Sequence, residues 1–140
     1  MSYEEKRAWI YAAIAVGLPV VYFATVLGQV GSVADVDQIA YVRPLLWAIG
    51  AAIVLNIVLS IVATIASPED RDRTDERDTS INRYGEYVAG IVLGAGMVVP
   101  FALTLAQAPH FWIAQGMYLA FVLSALTSAV IKIRAYRRGL

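Results

Sequence analysis

The chain has 140 residues, of which 59% are hydrophobic and 16% are charged, whereas a soluble domain is about 25% charged. Its eleven Lys and Arg residues balance eleven Asp and Glu residues, and this zero net charge points to no direct nucleic-acid partner. The sequence contains no cysteine, which excludes disulfides, thiolate metal sites and cysteine nucleophiles. These properties indicate a membrane protein with a single domain.

Four apolar runs follow one another along the chain, at 9–28, 45–66, 87–107 and 112–131, and none of them contains Asp, Glu, Lys, Arg or His. Each run is about 20 residues long, so as a helix it can cross a hydrocarbon layer of about 30 Å. Backbone amides in lipid must be bonded within their own segment, so such runs form helices. We therefore expect an all-α membrane protein, 1–140, with four transmembrane helices arranged as two antiparallel hairpins.

Lys6 and Arg7 precede the first run, as basic residues do in a secretory signal peptide. The run is longer than the apolar region of about 7–15 residues in signal peptides, so we expect a permanent helix. Pro19 in this run and Pro100 in the third run lack a backbone donor, and we expect both to bend their helices. The loop 29–43 that follows forms either a short surface helix or an irregular link.

The segment 67–86 is the only long polar stretch of the sequence. Residues 67–69, Ser-Pro-Glu, are typical of a helix start, and a second helix begins near Thr79 or Ser80 and runs into the third span. Acids and arginines three or four residues apart allow ion pairs along such helices. We expect an ordered cytoplasmic connector whose interaction surface is formed by Asp75, Glu76, Arg77 and Asp78.

Basic residues collect at the N-terminus, in the central connector and in the C-terminal tail, whereas the two other loops contain Arg43 alone. By the positive-inside rule, both termini and the connector face the cytoplasm. We expect a multi-pass protein of the cell membrane. Its tail contacts acidic lipid headgroups through Lys132, Arg134, Arg137 and Arg138.

Asn56 is a strongly polar residue near the middle of the second apolar run. Ser60 and Thr64 follow it one and two helical turns later. An amide in lipid needs a hydrogen-bond partner, so we expect Asn56 to bond another helix, within the protein or across an oligomer contact. The third run carries a face of small residues suited to close helix contact, namely Gly90, Gly94 and Gly96. These residues predict helix packing and a homo-oligomer.

The spacing of the polar residues predicts neither a catalytic site nor a metal-binding site. The acids of the connector lack the spacing of a calcium-binding loop, and His110 is the only histidine in the sequence. The apolar runs contain no ionisable residue, which argues against a proton-coupled exporter. We expect a protein that is not an enzyme and that uses no metal or cofactor.

Several short motifs carry a resemblance to a known group of proteins. They are residues 5–11 (EKRAWIY), 75–78 (DERD) with 85–87 (GEY), 110–114 (HFWIA) and 132–139 (KIRAYRRG). Together they resemble a family of small four-helix integral membrane proteins of actinobacteria whose function is unknown. The resemblance runs nearly end to end and implies the four-helix topology, but no active-site residues. Relatives of this kind are often encoded beside small helix-turn-helix regulators, which implies a regulatory setting and a cytoplasmic regulatory protein as partner.

Two functions fit these features. The first is a non-enzymatic interaction or regulatory module, oligomeric in the membrane, whose contact surface is the connector and the tail. The second is a small transporter or channel with a conduit at a dimer interface, lined by Asn56, Ser60, Thr64, Thr104 and Gln107. A water-accessible cavity that reaches Asn56 would favour the second function.

Overall fold

The computed structural model describes residues 3–32, 35, 38–66 and 76–138. Within these ranges the regular elements are all helical, which confirms the prediction of an all-α protein. The helices are α1 (Tyr3–Leu27), α2 (Val42–Ala66), α3 (Glu76–Gly96), α4 (Val98–Leu105) and α5 (His110–Arg138), with a short 3-10 turn at Val30–Ser32.

By length and composition, four helical stretches are suited to cross a membrane, namely Glu5–Ser32, Val42–Ile65, Thr79–Leu105 and His110–Arg138. These stretches contain most of each predicted apolar run. At several ends the helix continues past the charged residues that flank the run. For example, α5 continues through Lys132 to Arg138. Long basic side chains can reach the membrane surface while their backbone stays helical, so charge does not end a helix.

The centre of the bundle is α5, which contacts α1, α3 and α4, whereas α2 has its extensive contacts with α1 alone. Most of the surface of α2 is therefore exposed in the single chain; Trp47, for example, is 77% exposed. In a membrane, such an apolar surface meets lipid or another protein.

Small residues allow α3 and α5 to approach closely. A Cβ atom added at Gly96 would lie 3.0 Å from the Cβ of Ala120. Further along the contact, Ser124 Oγ donates a hydrogen bond of 2.8 Å to the carbonyl of Ala89. Helix association in lipid depends on such close contacts and interhelical hydrogen bonds, because burial from water is not available there.

The third span is interrupted between α3 and α4 at Met97. Pro100 has no backbone N–H, so the carbonyl of Gly96 lacks its usual donor four residues later. The buried Pro100 ring lies beside Gly116, where an added Cβ atom would be 3.5 Å from the Pro100 Cβ. The break therefore occurs close to Pro100, one of the two prolines expected to bend a helix. At the other, Pro19, α1 continues without interruption.

An aromatic cluster fills the end of the bundle that lies opposite the chain ends. Its buried members are Tyr22, Val26, Ile39, Ala48 and Phe111, and Phe23, Val30, Tyr41, Leu45 and Tyr118 pack around them. Ile39 and Tyr41 come from the 29–43 loop, and the Tyr41 ring packs edge-on against Phe111 at 5.4 Å between centroids. The described loop residues Val30, Ile39 and Tyr41 therefore pack onto this end of the bundle.

The turn between α4 and α5 contains a residue in a left-handed conformation, Gln107, with φ of 57°. The Ala108 N–H donates to the Leu103 carbonyl at 2.9 Å, and the Gln107 N–H donates to the Thr104 carbonyl at 3.0 Å. This bonding pattern is the Schellman motif, in which glycine usually occupies the left-handed position.

We expect Gln107→Gly to stabilise the protein. The left-handed conformation costs a non-glycine residue about 1–2 kcal/mol, which exceeds the entropic cost of about 0.5–1 kcal/mol for ordering a glycine. The melting temperature in one detergent should therefore rise. The matched control is Ala106→Gly, because Ala106 has an ordinary φ of −80° and gains nothing from glycine. A decrease of similar size for both variants would contradict the assignment of strain to Gln107.

Candidate functional site

A cleft of about 760 Å³ opens between α2 on one side and α1, α3 and α5 on the other. It exists because α2 packs on α1 and leaves a gap towards α3 and α5. Polar side chains from all four helices line the cleft, chiefly Arg7, Asn56, Ser60, Asn82, Glu86 and Lys132. The cleft lies in the half of the bundle that contains the chain ends, away from the aromatic cluster.

Asn56 lines the cleft, so the cavity reaches the residue that the sequence analysis singled out. Its Nδ2 donates to the Ala52 carbonyl at 2.9 Å, one turn back on the same helix. Among the described residues of the single chain, Asn56 therefore bonds its own helix and not a neighbouring one. The physical reason is the gap itself, because α3 and α5 are separated from α2 and the amide satisfies one donor locally.

An ion pair from α5 to α3 forms the opposite wall of the cleft. Lys132 Nζ donates to Glu86 Oε1 at 2.7 Å, and Ser128 Oγ donates to the same oxygen at 3.0 Å. The side chain of Lys132 is 20% exposed and that of Glu86 is 67% exposed. Because it is bonded to Glu86, Lys132 faces the cleft, whereas Arg134 and Arg138 are exposed on the tail.

Gly85 makes room for this ion pair. A Cβ atom at position 85 would lie 3.0 Å from both Cγ and Cε of Lys132. The methylene chain of Lys132 therefore lies against the α3 backbone, where any larger residue would displace it. The Gly85-Glu86 pair thus supplies both the space for the lysine and its charge partner.

A second ion pair joins the chain ends beside the cleft. Arg137 Nε lies 3.3 Å from Glu5 Oε2, and the Arg137 guanidinium lies 5.8 Å from the centroid of the Trp9 ring. Glu5 is only 7% exposed. A buried carboxylate needs a charge partner, so this contact fixes the start of α1 against the end of α5.

The three glycines predicted for packing have different surroundings. Gly96 contacts Ala120, as described above. Cβ atoms added at Gly90 and Gly94 would meet nothing within 4 Å. Within the chain, close packing therefore uses Gly96, whereas Gly90 and Gly94 lie on an exposed face.

The predicted connector surface is only partly described. Glu76 begins α3 and is exposed, and Arg77 and Asp78 follow it in the first helical turn. Asp75 and the helix start predicted at 67–69 lie outside the described residues. Within the described residues, the helix that leads into the third span is already formed at Glu76, before the predicted start at Thr79 or Ser80.

Within the single chain, the residues expected to line a conduit at a dimer interface do not share one cavity. Asn56 and Ser60 line the cleft. The Thr64 hydroxyl donates to the Ser60 carbonyl at 2.9 Å, and the Thr104 hydroxyl donates to the Pro100 carbonyl at 2.8 Å, both on their own helices. Gln107 forms the turn at the other end of the bundle. The lining is completed by Asn82 and Glu86 on α3, which the sequence analysis did not place there.

The sequence analysis also missed a buried hydrogen bond at the aromatic end. Tyr22 Oη donates to Gln115 Oε1 at 2.7 Å, joining α1 to α5. Gln115 is 6% exposed, and its Nε2 has no hydrogen-bond partner among the described residues. The sequence offered a signal for this bond, because Gln115 is an amide within the fourth apolar run, just as Asn56 is an amide within the second. Asn82 and Glu86 carried a similar signal, because a spacing of four residues places them on one helix face.

The chemical groups of the cleft are suited to binding, with two cations, one carboxylate, two amides and the hydroxyls of Ser60 and Tyr11 on its walls. Among the described residues, no group of three or more His, Asp or Glu side chains could hold a metal ion. Comparison of the chain with known protein families, curated proteins and solved structures finds no match.

We expect the Glu86–Lys132 pair to respond asymmetrically to mutation. Glu86→Gln leaves a largely buried ammonium without its counter-charge, which costs about 1–2 kcal/mol, whereas Lys132→Met leaves an exposed carboxylate that water can solvate. Thermal unfolding in detergent should therefore show the larger loss for Glu86→Gln and a partial recovery in the double variant. Arg134→Gln, on the exposed tail, is the control. Equal losses for the two single variants would contradict the predicted asymmetry, and losses that simply add in the double variant would show that the pair contributes no net interaction energy.

Proposed function

We propose that the protein is a multi-pass protein of the cell membrane with two antiparallel hairpins, α1–α2 and α3/α4–α5, and both chain ends in the cytoplasm. The distribution of Lys and Arg supports this orientation. The Glu5–Arg137 pair joins the two ends of the chain. Contacts of Ala89 with Ser124 and of Gly96 with Ala120 run in opposite directions along the two helices, which supports an antiparallel pairing.

Within this topology the protein acts as a small transporter of the carrier type, which is non-enzymatic and takes a ligand into the cleft from the cytoplasmic side. The observation that carries this proposal is the polar cleft that reaches Asn56. Asn56 and Ser60 lie inside the second apolar run, and polar groups that are kept inside a membrane usually mark a binding site or pathway. The polar side chains of the lining meet in one cavity, which favours a shared ligand over separate packing roles.

The shape of the bundle favours a carrier over a channel. The cleft is open in the half with the chain ends, whereas the aromatic cluster fills the other end around Phe111 and Tyr22. A carrier binds its ligand in a cavity that is open to one side at a time. A bundle that is open in one half and filled in the other corresponds to a carrier whose cavity is open to one side of the membrane.

A second candidate function is the interaction or regulatory module. Its supporting observation is the start of α3 at Glu76, before the membrane-crossing stretch begins at Thr79. A short charged extension of the helix would then project into the cytoplasm, where Asp75, Glu76, Arg77 and Asp78 form a contact surface for a regulatory protein. The exposed faces of α2 and of Gly90 and Gly94 are suited to contacts between copies in a homo-oligomer.

The chain contains no cysteine, so an introduced cysteine is its only thiol. We expect Asn56→Cys and Ser60→Cys to react with a membrane-impermeant thiol reagent applied from the cytoplasmic side of oriented vesicles, because the reactive thiolate forms only in contact with water. Val58→Cys, on the exposed apolar face of α2, is the matched control and should react only after detergent is added. Protection of all three positions would contradict a water-accessible cleft.

A comparison of two variants distinguishes the two candidate functions. Asn56→Leu should abolish solute uptake into liposomes while leaving the melting temperature and the capture of cytoplasmic partners unchanged, because it removes a polar group of the cleft alone. Replacement of residues 75–78 by four alanines should leave uptake unchanged, because it removes only the charge of the connector. Loss of partner capture in the second variant, with uptake absent in the wild type, would favour the regulatory module.

A further inference from the structure

Polar side chains of α2 and α3 face each other across the cleft. Asn56 and Ser60 line it from α2, and they lie one helical turn apart. Asn82 and Glu86 line it from α3 with the same spacing. In the proposed topology α2 and α3 run in opposite directions, so Ser60 is level with Asn82. By the same spacing Asn56 is level with Glu86, about 6 Å further from the chain ends.

All four side chains have unused hydrogen-bonding capacity. Asn56 donates one hydrogen bond on its own helix, which leaves its second amide hydrogen and its side-chain oxygen available. The side chains of Ser60 and Asn82 form no hydrogen bond within the part of the chain that the structure describes. Glu86 accepts its hydrogen bonds at Oε1, so Oε2 has no donor among the described residues. Donors and acceptors are therefore available on the two facing walls.

The two walls are complementary at each level. The available amide hydrogen of Asn56 is a donor, and Oε2 of Glu86 is an acceptor. The Ser60 hydroxyl and the Asn82 amide can each donate and accept, so they can bond in either direction. These bonds would leave the ion pair of Glu86 with Lys132 intact, because Lys132 uses the other carboxylate oxygen. Contact between the walls would therefore give all four groups a partner without breaking a described bond.

The attachment of α2 allows such contact. Its extensive contacts are with α1 alone, so α2 can move towards α3 without separating other packed helices. Ile53 and Ile57 line the cleft from α2 and would cover the apolar part of the opposite wall, where Ala129 lies on α5. Closure expels water, and hydrogen bonds left unmade in a low-dielectric region are costly. The polar groups must therefore bond to each other when neither water nor ligand fills the cleft.

From these observations we infer that α2 is the gate of the cleft. In the closed state α2 packs on α3, with Asn56 Nδ2 bonded to Glu86 Oε2 and Ser60 bonded to Asn82. The open and closed states are two arrangements of one bundle, and a ligand that occupies the cleft selects the open one. The inference rests on the proposed function, because it describes the closed state of the same cleft.

The test is disulfide formation in the full-length double variant Ser60→Cys/Asn82→Cys in liposomes. The chain has no cysteine of its own, so these two thiols are the only ones. A disulfide requires Cβ atoms about 3.5–4.5 Å apart, which the closed state allows and the gap between α2 and α3 prevents. We expect a mild oxidant to consume both thiols within single chains. The matched control, Val58→Cys/Asn82→Cys, places the first thiol on the exposed face of α2 and should stay reduced.

A further substitution tests the bond that holds the gate closed. Asn56→Leu, added to the Ser60→Cys/Asn82→Cys variant, should slow disulfide formation by about ten-fold, as expected for the loss of a hydrogen bond to a charged group. Ile53→Leu is the matched control, because it also lines the cleft from α2 but leaves every hydrogen bond in place. Equal rates with Asn56→Leu and with Ile53→Leu would show that Asn56 does not hold the gate, and the inference would be wrong.

Thiol labelling distinguishes this inference from the proposed function. If Ser60→Cys is labelled from the cytoplasmic side but the double variant forms no disulfide, the cleft is open to water and the carrier proposal stands, whereas the gate is wrong. A disulfide between two copies, instead of within one, would also overturn the gate. If Ser60→Cys is unreactive and the disulfide forms completely at once, α2 never leaves α3, and both proposals fail.

Discussion

The close contact between α5 and α3 is the constraint on which the rest of the bundle depends. In lipid, two apolar helices gain little from leaving the solvent, so their association requires close backbone approach and hydrogen bonds. Gly96 provides the approach, and the Ser124–Ala89 hydrogen bond adds to it. The contact draws α5 towards α3, while α2 packs on α1. The cleft is the space between these two associations.

Polar contacts from α5 hold both ends of the bundle. At the open end, Lys132 and Ser128 bond Glu86 on α3. At the closed end, Gln115 bonds Tyr22 on α1, beside rings that fill the remaining volume. Hydrogen bonds are strong in a low-dielectric region and leaving them unmade is costly, so these contacts specify the neighbours of α5. The same chemistry leaves a cleft in one half of the bundle and fills the other half.

The sequence predicted the helices but not their faces or ends. Runs of apolar residues long enough to cross a bilayer identify the spans, yet α5 continues past the first charged residue because a long side chain can turn towards the surface. Asn56 was recognised as a polar residue in an apolar run. The role of Gly85 was not recognisable, because its neighbour Lys132 lies on another helix and only the packing brings them together.

The attachment of α2 has a mechanical consequence. Ala48 and Ala63, the buried small residues of this helix, lie at opposite ends of it, and its extensive contacts are with α1. The helix α2 is therefore held on one side only, by its packing against α1. Since the axes of packed helices lie about 8–10 Å apart, a swing of about 20° around α1 would move α2 by about 3 Å. Such a swing would change the distance from Asn56 to α5 and with it the width of the cleft.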